Sequence, residues 1–415
     1  MLDIKFIVEN KNLVEENARN KNTPIDLGAI IELDKKRREL LSKTETLRSE
    51  QKKLTKDQIE KAKELKKEIA NLEPELSKIQ EELTLLASQV PNIILPSTPV
   101  GKSENDNIVI RKYGEPRKFD FTPLDHIELG TKLGILDFDK ASEMSGARFY
   151  YLKGGAALLE FALIQFAIQK LISKGFTPVI PPVLVKEHAM FATGFFPADR
   201  NEIYNVNPKE DNLFLVGTSE VPLTMLHADE IIDSSKLPIR YCGFSTCFRR
   251  EAGSYGKDTR GMIRVHQFDK IEMFSFCNPT KSEEEHELIL SIEEEIFQGL
   301  KIPYQVLNIC SGDLGAPAAK KYDIEAWIPT QNKYREVTSC SNCTEYQARR
   351  ANIKLSENSK KTFIHTLNGT AIAMARAIVA IIENYQEKDG SITIPEVLRP
   401  FTGGMTQISK TEIGK

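Results

Sequence analysis

Two runs of residues at alternating spacings of three and four occupy the first hundred positions, and no other feature narrows the fold so much. The first run is Ile30, Leu33, Arg37, Leu40, Thr44, Leu47, Gln51 and Leu54. The second, more uniformly apolar, is Ala62, Leu65, Ile69, Leu72, Leu76, Ile79, Leu83, Leu86 and Val90. This is the spacing of a coiled-coil seam, so each run predicts a helix whose stripe needs a partner. Thr55, followed three residues later by Gln58, has the form of a capping box and predicts a tight turn between the helices. The expected object is an antiparallel hairpin over residues 28–90, an arm about 45 Å long at about 1.5 Å per residue. Pro74 falls inside the second helix and should kink it unless the helix restarts there.

Residues 34–68 hold thirteen Lys or Arg against eight Asp or Glu, in a chain whose formal net charge is -3. Most charged coiled-coil surfaces are simply solvated; a local positive excess on an acidic protein also suits contact with phosphates. The overall acidity excludes a protein that coats DNA through uniform positive charge. The proline-bearing stretch "VPNIILPSTPVGKSENDN" leaves the helical pattern and reads as a linker. It divides an N-terminal domain, 1–100, from a main domain, 101–415, and 415 residues suffice for both to have cores. No run of 18 apolar residues appears, and "MLDIKFIVEN" lacks the pattern of a signal peptide. The reading is a cytoplasmic protein with no membrane partner. Its six cysteines are then expected as reduced thiols. Cys340 and Cys343 form a CxxC pair, but no second pair lies at finger-like spacing, so no zinc is expected.

The main domain carries the stretch "CFRREAGSYGKDTRGMIRVHQFDKIE", residues 247–272. Read as a hairpin, Ser245, Cys247, Arg249 and Glu251 share one face of the incoming strand. Arg264, His266, Phe268, Lys270 and Glu272 share one face of the return strand, and Ile263, Val265, Ile271 and Met273 turn to the core. A half-solvated hairpin would produce that alternation by itself. It would not require the ten-residue loop "AGSYGKDTRG", because ordinary hairpin loops have about 2–5 residues. Arginine suits phosphate, Phe suits stacking on a base, and Glu suits an ammonium or exocyclic amine. Together they describe a nucleotide site built on a sheet. Neither GxxxxGK[ST] nor GxGxxG is present, so a P-loop and a Rossmann cradle are excluded.

Farther on, "HTLNGTAIAMARAIVAIIENYQ" is apolar on nearly all faces after Asn368 and Gly369, where a buried helix is expected to begin. Arg376 lies inside it and needs an anionic partner, either a carboxylate of the chain or a ligand phosphate.

These segments resemble the signature motifs of class II aminoacyl-tRNA synthetases. "IQKLISKGFTPVIPPVLV" is similar to motif 1 (about 165–185), "FRREAGSYGKDTRGMIRVHQFDKIE" to motif 2 (about 244–276), and "NGTAIAMARAIVAIIENYQ" to motif 3 (about 367–385). With "GTSEVPL", "YREVTSCSNC" and the N-terminal hairpin, the resemblance is to the seryl-tRNA synthetase family over essentially the whole chain. It implies an α+β fold: an antiparallel sheet flanked by helices, with an N-terminal antiparallel α-helical coiled-coil hairpin. It implies ATP, with Arg249 at the α-phosphate, Glu251 at adenine, Phe268 stacked on the ring and Arg376 at the γ-phosphate. Arg250, Arg264, Val265, Val337 and Thr338 would complete the ATP site. Glu336 and Ser339 would lie by Mg²⁺ and the phosphates. Strict alternation would put those two on opposite faces, so a bulge or strand end is required there.

For serine, the resemblance implies Thr218, Ser219 and Glu220, with Glu272 and Thr370. Lys257 and Arg260 of the motif 2 loop would reach the acceptor end of tRNA, and Arg37, Arg38, Lys52 and Lys53 of the arm would meet the variable arm of tRNA(Ser), with tRNA(Sec) as a second substrate. Motif 1 would build a homodimer in which the arm of one subunit serves tRNA at the other active site. A ligase that charges a carrier protein would lack the basic arm. A decayed, non-catalytic relative would have lost Arg249, Glu272 or Arg376, and all three are present.

Overall fold

The computed structural model describes residues 1–55, 58–252, 260–358 and 360–410, in two compact units, Met1–Ile93 and Ile94–Lys415. The first unit is helical: α1 (Ile4–Glu9), α2 (Lys11–Asn20), α3 (Leu27–Lys53) and α4 (Ile59–Ser88). Asp3 and Asp26 open α1 and α3 by accepting backbone N–H bonds from Lys5 and Phe6 and from Gly28. At the base of the hairpin, Ile30, Leu83, Ala87 and Val90 join Ile7, Val14 and Leu27 in a closed apolar core.

Farther out the seam thins to Leu65 and Ile69, both buried. Its polar position Thr44 is satisfied within α3, donating its hydroxyl to the Leu40 carbonyl at 2.8 Å. Gln51 donates across the hairpin to the Ala62 carbonyl at 3.5 Å. Ion pairs Lys43–Glu68 at 2.8 Å and Arg48–Glu73 at 2.6 Å also cross it, and such exposed pairs contribute about 0.2–1 kcal/mol each. Only half of the expected capping box forms. The Gln58 side chain accepts from the Thr55 N–H at 3.1 Å, while Gln58, the N-cap residue of α4, makes no side-chain cap bond to that helix. Pro74 does not end α4, which runs through it. Both Pro74 and Ala70, whose carbonyl loses its intrahelical donor, lie on the exposed side, open to solvent.

The second unit is built on an eight-stranded sheet. In chain order its strands are β1 (Ile108–Tyr113), β2 (Thr177–Val179), β3 (Ile239–Phe248), β4 (Gln267–Cys277), β5 (Tyr304–Asn308), β6 (Lys320–Ile328), β7 (Lys333–Asn342) and β8 (His365–Ala373). Across the sheet they run β1-β5-β6-β7-β8-β4-β3-β2, antiparallel except for the parallel edge pair β2 and β3. Helices α5 (His126–Leu133), α6 (Gly155–Ser173), α7 (Glu220–Met225), α8 (Ser282–Gly299) and α9 (Met374–Asn384) accompany it. By length and composition α6 could cross a membrane; here Ala156, Leu159, Ala162, Leu163, Ala167 and Leu171 join the main core with α8 and α9. The six cysteines are buried and none is in a disulfide. Among the described residues no three His, Cys, Asp or Glu side chains converge as a metal site.

Two boundaries differ from the sequence expectation. Asn368 and Gly369 do not start a helix; they lie within β8, and α9 begins at Met374. A run buried on every side is equally compatible with a central strand and a buried helix, and β8 is flanked by β4 and β7. The motif 2 hairpin is also shorter than its alternation suggests. Its strands end at Phe248 and resume at Gln267, so residues 260–266 do not follow strand alternation. Val265 consequently faces the ligand cavity and the core together. His266 turns away from that cavity: its Nδ1 lies 2.9 Å from the Arg249 carbonyl and its ring packs by Phe149 and Tyr204.

Two bulges shape the centre of the sheet. Ile324 pairs with Thr338 and Glu325 with Glu336, leaving Val337 as the extra residue. Ile271 pairs with Ile372 and Glu272 with Thr370, leaving Ala371 as the extra residue. A bulge reverses the side-chain alternation beyond it. The first lets Glu336 and Ser339 line one cavity; the second sets Thr370 beside Glu272.

Candidate active site

The sheet, the first turn of α9 and the motif 2 segment enclose a cavity of about 160 Å³. Thr218, Glu220, Arg249, Glu251, Arg264, Val265, Phe268, Glu272, Glu336, Val337, Thr338, Ser339, Thr370 and Arg376 all line it. A wider cavity of about 430 Å³ shares Phe195, Glu220, Arg249, Glu251, Arg264 and Asn368 with the first and extends past Lys321 and Ser341.

At one end lie the cations. The Arg249 guanidinium sits 5.3 Å from the Phe268 ring centre, and its Nε donates to the Gly217 carbonyl at 3.3 Å. Arg376, the one residue of α9 that is not buried, reaches the Glu336 carboxylate at 3.2 Å and donates to the Glu336 and Ile263 carbonyls at 3.0 and 3.3 Å. The anionic partner that Arg376 needs is therefore Glu336. Burial pushes the Glu336 carboxyl up, but Arg376, Lys321 and Arg249 outweigh it and hold the pKa down at about 2. Glu336 is thus anionic, and with the Ser339 hydroxyl offers hard oxygen donors of the kind Mg²⁺ takes.

At the other end is a small polar chamber. Lys270 contacts Glu272, donates to the Thr218 hydroxyl at 2.8 Å and lies 3.4 Å from that of Thr370. Thr370 donates to Glu272 at 3.2 Å. Asn368 bridges Glu272 and Glu220, at 3.1 and 3.3 Å, and Gln347 donates to Glu220 at 2.6 Å. Burial, then the charge of Glu272, pushes the Glu220 carboxyl up to about 7. Two carboxylates and two short hydroxyls around one ammonium fit a small, hydroxylated, cationic ligand group.

The lip between the two ends is braced by Arg264 of motif 2 and by Arg148 and Glu202, which the motifs do not name. Glu251 has φ +50°, a left-handed conformation uncommon outside glycine. Arg148 donates to its carbonyl at 3.3 Å and Arg264 pairs with its carboxylate at 2.7 Å. Glu202 accepts from the Arg250 N–H through its carbonyl at 2.9 Å and from the Ala252 N–H through its carboxylate at 3.1 Å.

Residues 1–94 match the seryl-tRNA synthetase N-terminal domain, and residues 204–385 match the tRNA synthetase class II core domain of the G, H, P, S and T enzymes. The chain is 48% identical to a Serine--tRNA ligase of Dictyoglomus thermophilum over 97% of its own length and 98% of that protein's. The chain belongs to the seryl-tRNA synthetase family. A Fusobacterium nucleatum Serine--tRNA ligase is 47% identical over 99% of this chain and 100% of its own. The fold matches the seryl-tRNA synthetase from Pyrococcus horikoshii complexed with ATP at a TM-score of 0.90, 43% identity and 99% coverage of both chains. Both the antiparallel α+β sheet and the N-terminal helical hairpin are thus those of the family.

Some residues that the resemblance singled out stand apart from the cavity. Ser219 is fully buried and donates its hydroxyl to the Gly243 carbonyl at 3.0 Å, so it supports the chamber from behind. Arg250 is exposed. Arg260 lines a separate surface cavity of about 500 Å³ with Arg148 and Lys153. Lys257 lies outside the described residues. In the helical unit, Arg37 and Arg38 both close on Asp34, at 2.7 and 2.9 Å, whereas Lys52 and Lys53 are exposed in the last turn of α3. Lys270, Asn368 and Gln347 were not among the expected serine-site residues. Lys270 showed a signal, a cation on the ligand face of β4; the other two enter through pairings that only the folded chain reveals.

Proposed function

We infer that the chain is a serine-tRNA ligase that uses ATP to activate L-serine and passes the seryl group to the 3′ end of tRNA(Ser). The observation that carries this reading is the joining, in one cavity, of a cationic end suited to triphosphate and a closed carboxylate-and-hydroxyl chamber suited to serine. In the first step the serine carboxylate attacks the α-phosphorus in line; the new P–O bond forms as the bond to pyrophosphate breaks. The attacking carboxylate is already ionised at neutral pH, so the step needs no general base. Arg249 and Arg376 would stabilise charge on the phosphate oxygens, Phe268 would stack on adenine and Glu251 would accept from its amine. Mg²⁺ bound with ATP would be held by Glu336 and Ser339 and would supply further neutralisation of the phosphates. In the second step the terminal ribose hydroxyl of tRNA attacks the seryl carbonyl and AMP leaves.

Thr218, Glu220, Glu272 and Thr370 would surround the ammonium and hydroxyl of serine. Threonine adds a methyl group to a closed chamber and alanine leaves its polar groups unpaired, so both should be rejected. The Glu220 carboxyl titrates near 7 in the unliganded chain. Below that pH it is neutral and offers the ammonium no charge; above it the carboxylate is available. The KM for serine is therefore expected to rise as pH falls from 8 to 6, with a proton released on binding below pH 7. A Glu220→Gln variant should raise KM most at pH 8, approach wild type near pH 6 and so flatten the profile; calorimetry in two buffers of different ionisation enthalpy checks the proton count.

The arm would lean on tRNA through phosphate contacts. Deleting residues 28–90 is a poor test, because Ile30, Leu83 and Ala87 belong to the core that holds α1 and α2. Charge reversal is cleaner. Lys52→Glu with Lys53→Glu is expected to raise the KM for tRNA(Ser) about tenfold and to reduce the salt slope by about one per lost phosphate contact. Serine-dependent pyrophosphate exchange should stay within twofold. Charging of tRNA(Sec) is proposed as a second activity of the same surfaces.

Homodimerisation through motif 1 is supported by the apolar outer surface of α6 and of the residue that follows β2. Leu158, Phe161 and Ile172 are 40%, 61% and 52% exposed, and Ile180 is 84% exposed. In such a dimer the arm of one subunit would serve tRNA at the other active site, in the cytoplasm where that substrate resides. Aminoacylation with labelled serine tests the whole reading: acid-precipitable counts on tRNA(Ser), absent without ATP, are expected, and none from folded protein would reject it.

A further inference from the structure

We propose that His126 is a positioning residue for ATP, a buried ring that fixes the return limb of the motif 2 loop to the motif 3 helix; the proposal rests on the ATP reading of the cavity. His126 begins α5, is 3% exposed and does not line the cavity. Its backbone N–H and its Nδ1 lie 3.2 and 2.9 Å from Oε1 of Glu383, near the end of α9. The other Glu383 oxygen accepts from the Thr330 N–H and hydroxyl, at 3.3 and 2.6 Å. Glu383 thus accepts from two backbone N–H groups and one hydroxyl and leaves Oε1 facing the ring at Nδ1. On the far side of the ring, Nε2 lies 3.2 Å from the Met262 N–H. A backbone N–H can only donate, so Nε2 must present its lone pair. The neutral ring protonated on Nδ1 is the one form that satisfies every contact.

The limb so held supplies Met262, Ile263, Arg264 and Val265 to the cavity. It is tied to α9 twice: Arg376 donates to the Ile263 carbonyl, and Glu383, seven residues and about two turns farther along the same face, reaches Met262 through His126. Gly261 shows how closely the ring and the chain fit. A Cβ there would lie 2.1 Å from His126 Nε2, and its φ is +78°, so the residue before Met262 has to be glycine for the ring to seat. If Met262 is released, Arg264 and its partner Glu251 keep only the Arg376 tie to α9, and the site for adenine and the phosphates loosens while the serine chamber on β4 and β8 keeps its own bonds.

Asparagine and glutamine separate the two sides of the ring. Asn places its amide where Nδ1 was and keeps the bond to Glu383; Gln places its amide oxygen where Nε2 was and keeps an acceptor for Met262. In serine-dependent ATP-pyrophosphate exchange with the full chain, His126→Asn should raise the KM for ATP at least tenfold and the KM for serine less than twofold. His126→Gln should recover the ATP KM to within threefold of wild type. Gly261→Ala, which keeps the histidine but displaces its ring from Met262, should reproduce the Asn effect and provides the test if the His126 variants fail to fold. Equal ATP KM values for Asn and Gln, a Gln variant worse than Asn, an unaffected Gly261→Ala variant or a parallel rise in serine KM would overturn the proposal. A wild-type chain that shows no serine-dependent exchange would instead refute the ATP and serine reading on which it stands.

Discussion

Arg249→Ala is expected to lower kcat/KM for serine-dependent ATP-pyrophosphate exchange by about 10²–10³, or about 2.7–4 kcal/mol of transition-state stabilisation. The side chain would combine two functions in this cavity: its charge would meet the phosphates, and its guanidinium carbon lies 5.3 Å from the centre of the Phe268 ring that would stack on adenine. Its bond to the Gly217 carbonyl orients the fork, so little reorganisation is left for the reaction itself. Lysine keeps the charge without the planar fork, and Arg249→Lys should therefore regain less than a tenth of the activity. Thermal stability should hardly change, because Arg249 is partly exposed and its side-chain contacts among the described residues are to the Gly217 carbonyl and the Phe268 ring. A lysine variant near wild-type activity would show that a point charge suffices and that the fork has no role.

The second large effect concerns the serine chamber and appears in stability as well as activity. Lys270 and Glu272 are 5% and 1% exposed, and breaking a buried pair by removing one partner costs about 3–5 kcal/mol, since the other charge stays buried unpaired. Glu272→Ala should lower the melting temperature sharply and abolish serine activation. Replacing both charges, Lys270→Met with Glu272→Leu, should restore most of the stability and none of the activity. Serine activation in the double variant would remove the carboxylate from the account of binding; a double variant no more stable than the single one would remove the unpaired charge as the cause of the loss.

The sequence was most informative where residue chemistry repeats at a fixed spacing. The arm was legible because its seam has one dominant period, and motif 2 because Arg, Phe and Glu recur at alternate positions across an unusually long loop. Even the bulge at Val337 was legible, as a conflict: Glu336 and Ser339 could not share a face of a regular strand. Two kinds of feature were hidden. The β8 to α9 boundary was one, because "NGTAIAMARAIVA" is apolar throughout and a run buried on all sides carries no period to separate strand from helix. The other comprised contacts that depend on register between distant strands. Asn368 meets Glu220 and Glu272 only after β8 pairs with β4, and Glu202 meets the motif 2 lip across about 50 residues of chain. His126 carried no motif at all; its role depends on Glu383 and Met262 arriving from two other elements.

The most direct measurement is amino-acid-dependent ATP-pyrophosphate exchange by the intact chain, with serine, threonine and alanine compared at equal concentration. Serine should support rapid exchange, with kcat/KM at least a hundredfold above threonine and alanine. Folded protein that gives no exchange with serine, or exchanges equally with all three, would contradict the assignment of this cavity to seryl-adenylate formation.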